Sequence, residues 1–185
     1  MDIPAIENAV RQLLLAIGED PDRQGLKNTP ARLAKMYQDI FSGIGVDPEV
    51  DFKLYRLENQ DEMILMKDIP FYSMCEHHLL PFWGTVNIAY IPLNNLVTGF
   101  SNLVKVVENF AHRPQVQEQM TTDIADFLMK ILKPMGVIVI IEAQHMCICM
   151  QGVKKEGAKT ITSAMRGAFR KTVTRLEALN LFNNK

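Results

Sequence analysis

Apolar residues recur at helical spacing in two stretches near the N-terminus. The first predicts a helix that ends near Gly18, and the second predicts one that begins at Thr29-Pro30 and ends near Gly43. Residues 44–61 show no clear period and are expected to be extended or a loop. We therefore predict a helical N-terminal segment over residues 1–60 and a second domain over residues 61–185.

The second domain combines strand and helix patterns in separate blocks. Alternating or continuous apolar residues predict strands over residues 63–69, 86–90, 137–150 and 160–163. Helical spacing predicts a helix capped by Ser101, another opened by Pro114 and a last one that starts near Met165. Because helices and strands segregate, the fold class is predicted to be α+β with a mainly antiparallel sheet.

Composition limits the classes of function. The chain has 185 residues, 48% hydrophobic and 22% charged, with a formal net charge of −1 and no basic run, which argues against a nucleic-acid partner. Its longest apolar stretch, Val137 to Ile141, is too short to span a membrane, and the first residues do not resemble a signal peptide. Three cysteines do not make a disulfide framework. A cytoplasmic protein is expected.

Two short clusters hold all three cysteines and three of the four histidines: residues 73–78 and residues 145–149. Thiolate and imidazole together favour zinc, and the Cys-x-x-His spacing brings Cys75 and His78 within reach of one ion. Residues 145, 147 and 149 follow an apolar run, so a shared strand face would bring Cys147 to the same ion. The pattern predicts a Zn²⁺ site made of Cys75, His78 and Cys147.

Other readings of the same residues stay open at this point. Each cysteine could be a small buried apolar residue, and Cys149 is a candidate fourth ligand that would close the site. An open, catalytic site is favoured because neighbours two apart on a strand bind one tetrahedral ion only with strain. His77 and His145 are then either hydrogen-bonded supporting residues or groups that move protons near the metal.

Three further polar residues have a structural and a functional interpretation. Glu118, with Gln117 beside it, lies in the first turn of a predicted helix, where a carboxylate suits the helix dipole. A carboxylate can also accept two parallel hydrogen bonds from a guanine-type N–H pair. Ser101 is by default a helix cap, but a helix N-terminus also receives phosphate.

Several motifs resemble the GTP cyclohydrolase I family of the compact bacterial type, over nearly the whole chain. The Cys-Glu-His-His and Gln-Val-Gln-Glu segments are the most specific of them. The resemblance is carried by residues 28–37, 71–79, 99–101, 113–118, 142–147 and 157–169.

The resemblance implies a tunnelling fold, in which an antiparallel sheet has helices on one side, and a homodecamer of two pentamers with active sites where subunits meet. It also implies hydrolytic opening of the imidazole ring of GTP, which releases formate and gives 7,8-dihydroneopterin triphosphate, the first step towards folate-type pterins. Zn²⁺ would be held by Cys75, His78 and Cys147. His145 would be the main proton donor and acceptor, assisted by His77.

The resemblance further implies the contacts to substrate. Glu118, helped by Gln117, would hold the guanine edge, and the triphosphate would be bound by Ser101, Lys105 and Arg32, with lysines 154, 155 and 159 nearby.

Three positions depart from the family pattern around the triphosphate. Asn102 stands where a lysine is usual, Gln151 where an arginine is usual, and Lys105 replaces an arginine and so loses the bidentate fork. Two lost cations would cost about 3–6 kcal/mol at roughly 1.5–3 kcal/mol each. Two alternatives follow: a paralogue acting on a guanine compound with fewer phosphates, and a zinc-bearing pterin- or purine-binding protein without turnover.

Overall fold

The structure, a computed structural model, describes residues 1–184 and contains two compact units. The first, Met1–Ser42, holds helices α1 (Ile3–Ala16) and α2 (Thr29–Ile40). Helix α1 begins where the Asp2 carboxylate accepts a hydrogen bond from the Ala5 backbone N–H at 3.0 Å. The second unit begins at Gly43, so the compact division precedes residue 60; a domain boundary at residue 60 stays a prediction.

The second unit contains strands and helices in alternating blocks. In chain order they are β1 (Leu54–Arg56), β2 (Ile64–Cys75), β3 (Pro81–Ile91), β4 (Leu96–Thr98), α3 (Phe100–Ala111), β5 (Pro114–Gln115), α4 (Gln117–Leu132), β6 (Gly136–His145), α5 (Met146–Cys149), β7 (Lys159–Gly167), a 3₁₀ turn (Ala168–Arg170) and α6 (Thr172–Asn183). None of the helices within residues 1–184 has the length and apolar character that crossing a membrane requires.

A five-stranded sheet organises this unit, in the order β5-β2-β3-β6-β7. Every pair is antiparallel except β2 with the two-residue β5, while β1 and β4 form a separate pair. The register places Phe82 opposite His145 and Met74 opposite Pro81. The two chemistry-bearing clusters therefore meet at one end of neighbouring strands.

Helices α3 and α4 cover one face of the sheet. Their apolar faces pack with alternate residues of β2, β3 and β6 into the main core, which includes Val86, Leu103, Ile124 and Val139. This arrangement confirms the predicted α+β class and the helix-backed antiparallel sheet of a tunnelling fold. One helix departs from the one-sided picture: α6 covers part of the opposite face, because Ala178 packs there with the buried Phe169 and strand residues.

Several boundaries predicted from the sequence were wrong. The strand expected to reach Met150 ends at His145, and a single helical turn follows. Gly99, in an extended conformation, is the N-cap of α3, so Ser101 lies inside the helix. Pro114 belongs to a short strand, and the last helix starts at Thr172. Each error lies where tertiary pairing, rather than local periodicity, sets the boundary.

Candidate metal centre and active site

A tight turn after β2 positions the first two candidate ligands. The Cys75 backbone N–H donates to the Leu80 carbonyl at 2.9 Å, and the Leu79 N–H donates back to the Cys75 carbonyl at 2.8 Å. Leu79 adopts the left-handed conformation with φ of 50°, which closes the turn. The Cys75 side chain is buried, whereas His78 is exposed on the turn. Strand β2 thus holds Cys75 in place, and the turn that follows brings the His78 imidazole close to the Cys75 thiol.

The third ligand comes from the helical turn α5. His145 is the last residue of β6, and the chain then turns so that the Met150 N–H donates to the Met146 carbonyl at 2.9 Å. Cys147 packs against the main core beneath the first cluster. The shared strand face expected for residues 145, 147 and 149 was therefore wrong in conformation, although Cys147 still reaches the predicted partners.

The donor atoms of Cys75, His78 and Cys147 all lie within 4.8 Å of one another. At a tetrahedral zinc ion, bonds of about 2.0–2.3 Å place two donors about 3.3–3.8 Å apart, so donors up to 4.8 Å apart would draw together around the ion. Burial raises the pKa of the Cys147 thiol, and the neighbouring Cys75 raises it further. A thiol whose charge is disfavoured by burial and by a neighbouring thiol suits a site where a cation offsets that charge, so this donor set fits Zn²⁺.

His145 lies beside this group in a defined environment. Its ring stacks on the fully buried Phe82, with centroids 4.7 Å apart and planes within 3°. Its Nε2 lies 2.8 Å from Oε1 of Gln117. Burial lowers the pKa of His145, and the carboxylate of Glu118 partly opposes that shift. A neutral imidazole is thus favoured, and it is held in one orientation.

His77 has a more open environment than His145. Its Nε2 lies 3.8 Å from the Glu76 carboxylate, and both side chains are largely exposed. Its ring meets that of His78 edge-on, with centroids 6.3 Å apart. His77 therefore lies beside the candidate metal ligand His78, on the side that faces solvent.

Gln117 and Glu118 begin helix α4, and they differ sharply in exposure. Glu118 is exposed, whereas Gln117 is buried with 1% of its surface accessible. The Gln117 amide nitrogen lies within hydrogen-bond distance of the Ile141 carbonyl, the Thr160 carbonyl and the Thr162 hydroxyl. The sequence carried a partial signal for these partners, since alternation along β7 places Thr160 and Thr162 on the helix-facing side.

The residues expected to bind phosphate lie on several different elements. Ser101 and Lys105 are exposed on α3, and Lys105 lines a cavity of about 270 Å³ together with Asp47 and Asp51. Gln151 is half-buried after α5, and lysines 154 and 155 are exposed. Lys159 instead pairs with Glu142 at 2.6 Å on the sheet face opposite α3 and α4. Arg32 is exposed on α2 of the first unit.

Asn102 is buried and serves the fold. Its amide nitrogen donates to the Lys53 carbonyl at 3.1 Å and to the Thr98 hydroxyl at 2.9 Å. The same hydroxyl donates to the Lys53 carbonyl at 2.8 Å, so these three residues form one network. The position where the family usually carries a lysine is thus filled by a structural amide.

Comparison with known proteins identifies the family. The sequence matches the profile described as GTP cyclohydrolase I over residues 6–183. The chain belongs to the GTP cyclohydrolase I family. A GTP cyclohydrolase 1 from Carboxydothermus hydrogenoformans is 56% identical over 100% of this chain and 97% of its own length. One from Pelotomaculum thermopropionicum is 57% identical over 97% of this chain and 96% of its own length.

Among solved structures, an archaeosine synthase QueF-like protein in the apo form aligns with 57% of this chain and 94% of its own. The TM-score is 0.48 and the identity 18%, a likeness too distant to bear on function.

Proposed function

We propose that this chain is a zinc-dependent GTP cyclohydrolase I. It would hydrolyse the imidazole ring of GTP, release formate from C8 and yield 7,8-dihydroneopterin triphosphate, the first step towards tetrahydrofolate-type pterins. The single observation that carries the proposal is the convergence of Cys75, His78 and Cys147, with donor atoms within 4.8 Å, in a chain of this family.

Zn²⁺ held by these three residues would supply Lewis-acid activation of water at an open coordination position. The chain's own residues would supply the rest. His145, held against Phe82, would take a proton from the attacking water and return one to the ring nitrogen that leaves C8. The exposed His77 would assist proton exchange with solvent.

Recognition of the base is assigned to Glu118. It is exposed at the N-terminus of α4 near His145, where its carboxylate can accept two parallel hydrogen bonds from the guanine N1–H and amino group. The auxiliary contact expected from Gln117, and the triphosphate contacts expected from Ser101, Lys105 and Arg32, stay predictions.

The test is an assay of the zinc-loaded protein with GTP that follows formate and the pterin product together. We expect both in equal amounts. His145→Ala should keep a full equivalent of zinc and lose about 10²-fold or more in turnover, because proton transfer is removed. Cys147→Ala should lose both zinc and turnover. Full turnover by His145→Ala would refute the proton-transfer role.

One observation favours a second candidate, a paralogue that acts on a guanine compound with fewer phosphates. The buried amide of Asn102 offers no cation at its position, and Gln151 is uncharged. Comparing kcat/KM for GTP, GMP and guanosine separates the two. A strong preference for GTP excludes the second candidate, and a preference for GMP or guanosine excludes the first.

Assembly and location complete the proposal. We infer a homodecamer of two pentamers in the cytoplasm. A long strand edge on β7 supports association between copies, and the three free cysteines suit a reducing compartment.

A further inference from the structure

A directed chain of hydrogen bonds links the backbone of helix α4 to the imidazole of His145. The Thr121 hydroxyl lies 2.7 Å from the Gln117 backbone carbonyl and 2.6 Å from the Thr162 hydroxyl. The Thr162 oxygen lies 3.0 Å from the Gln117 amide nitrogen. The Gln117 amide oxygen then lies 2.8 Å from Nε2 of His145. Thr121 and Gln117 are each about 1% exposed, so bulk water does not compete at either residue.

Each hydrogen bond in this chain has only one permitted direction. A backbone carbonyl only accepts, so the Thr121 hydroxyl donates its single hydrogen to Gln117. The Thr121 oxygen must then accept from Thr162, whose own oxygen faces the Gln117 amide nitrogen as one of three acceptors for its two hydrogens.

Two more backbone carbonyls confirm the orientation of that amide. The carbonyls of Ile141 and Thr160 lie 3.0 and 3.1 Å from the Gln117 amide nitrogen and cannot donate. The amide therefore presents its NH₂ group to β6 and β7 and its oxygen to His145. An amide oxygen only accepts, so Nε2 of His145 must carry a hydrogen and donate it.

The ring position adds to this constraint. Stacking within 3° of the Phe82 plane fixes the imidazole face, and the bond to Gln117 fixes which edge points into the protein. In the neutral imidazole, a hydrogen on Nε2 leaves the lone pair on Nδ1.

We propose that Gln117 is a positioning residue that fixes His145 in the Nε2–H tautomer, so that Nδ1 is the nitrogen that exchanges protons during ring opening. The kinetic part rests on the proposed function, whereas the tautomer follows from the fold. This role differs from the guanine contact that the family resemblance implies for Gln117, and the two make different kinetic predictions.

The direct test is neutron diffraction from deuterium-exchanged, zinc-loaded crystals. We expect deuterium on Nε2 of His145, none on Nδ1, and the ND₂ group of Gln117 facing the Ile141 carbonyl. Deuterium on Nδ1 with a bare Nε2, or an amide turned the other way, would overturn the proposal. This measurement does not depend on any substrate.

The kinetic test is Gln117→Met, which conserves side-chain length and removes the amide. A positioning role predicts that kcat falls by about 10²-fold while KM for GTP and zinc content change little, since the loss falls on proton transfer. A guanine-binding role predicts the reverse, with KM raised and kcat nearly unchanged. That second result would overturn the assignment.

Thr162→Val provides a milder variant in case Gln117→Met does not fold. It removes one of three acceptors but leaves the carbonyls of Ile141 and Thr160, which can take both hydrogens of the Gln117 amide, so we expect kcat and KM to match those of the control. Ser163→Ala is the matched control, because Ser163 is exposed on the opposite face of the same strand. A fall in kcat of about 10²-fold for Thr162→Val, with Ser163→Ala unchanged, would contradict the orientation of the amide by the two carbonyls.

The two proposals can fail separately. If wild-type protein does not open GTP but neutron diffraction finds deuterium on Nε2, the proposed function fails and the tautomer assignment stands. If GTP is opened and deuterium lies on Nδ1, the function stands and the assignment fails.

Discussion

Asn102 shows how a single amide can join separate segments of the fold. Its nitrogen donates to the Lys53 carbonyl, which also accepts from Thr98, and the bond between Asn102 and Thr98 is buried. A lysine introduced there would break this network before it could present a charge. The substitution Asn102→Lys is therefore expected to test the stability of the fold rather than phosphate binding.

Asn102→Asp isolates the value of this amide. A carboxylate cannot donate to the Lys53 carbonyl and places two acceptors against each other, so the free energy of unfolding should fall by about 1–3 kcal/mol. Urea denaturation measures the change. Asn109→Asp on the same helix is the control, because it keeps the oxygen that accepts from the Arg113 guanidinium at 3.2 Å and loses only an exposed 3.5 Å contact from the amide nitrogen to the Val46 carbonyl. Equal losses in the two variants would show that the buried network contributes nothing specific.

Cys149 provides a second prediction at the scale of the residue. Among residues 1–184, the group whose donor atoms lie within 4.8 Å is made of Cys75, His78 and Cys147 and leaves Cys149 out. Cys149→Ser should therefore retain one equivalent of zinc by elemental analysis. A loss of zinc equal to that of Cys147→Ser would mean a closed, four-ligand site.

At the scale of the element, the sheet brings β3 and β6 unusually close at one position. A Cβ atom on Gly84 would lie 1.8 Å from the Glu142 carbonyl oxygen, deep inside van der Waals contact. Gly84 pairs with Ala143, and two residues further along the same strands Phe82 pairs with His145. This glycine thus lets two strands approach at the end of the sheet where the His145 imidazole is held.

Gly84→Ser is predicted to lower the free energy of unfolding by about 1–3 kcal/mol or more, because backbone atoms must move to admit the side chain. Gly99→Ser is the control: its Cβ would meet nothing closer than 3.8 Å, and serine suits the N-cap position. Thermal melting of both variants gives the comparison. A Gly84→Ser protein as stable as Gly99→Ser would refute the close-approach argument.

The elements also show how far sequence patterns reach. Alternation located β3, a continuous apolar run located β6, which is buried on both faces, and helical spacing located α1 to α4. Strand β2 was expected to stop before Pro70, yet it continues, since a proline fits a strand that pairs on one side only at that point. The short β5 and α5 left no periodic signal, because the contacts that define them come from distant residues.

The candidate site, too, was predicted only in part from the sequence. Ligand chemistry and spacing predicted Cys75, His78 and Cys147, and the structure brings their donor atoms together. The burial of Gln117 and its bonds to Ile141, Thr160 and Thr162 depend on how α4 lies on β6 and β7. The sequence around Gln117 therefore does not predict these contacts.

At the scale of the whole molecule, the sheet is left open at one side. In the part of the chain that the structure describes, β7 pairs only with β6, and its outer edge has no strand partner. On one face of the sheet, Ile161 of β7 is 65% exposed and Tyr72 of β2 is 72% exposed. An open edge with apolar neighbours is a template for pairing with another strand.

The proposed homodecamer is tested by native mass spectrometry. We expect a species of ten times the mass of one chain, with five-chain species as a dissociation product if two pentamers stack. Sedimentation at the concentrations used for activity assays provides an independent check. A monomer in both experiments would remove the assembly from the proposal and leave the metal centre unaffected.

The ligand set is split between two chain segments that the ribosome makes at different times. Cys75 and His78 leave the exit tunnel early, together with the turn that closes β2 onto β3. Cys147 follows only after α3, α4 and β6 have been synthesised. A nascent chain that stops before β6 therefore carries two ligands of the three. A metal that needs all three donors can therefore bind only after β6 has been made, while strand β7 of the same sheet is still to follow.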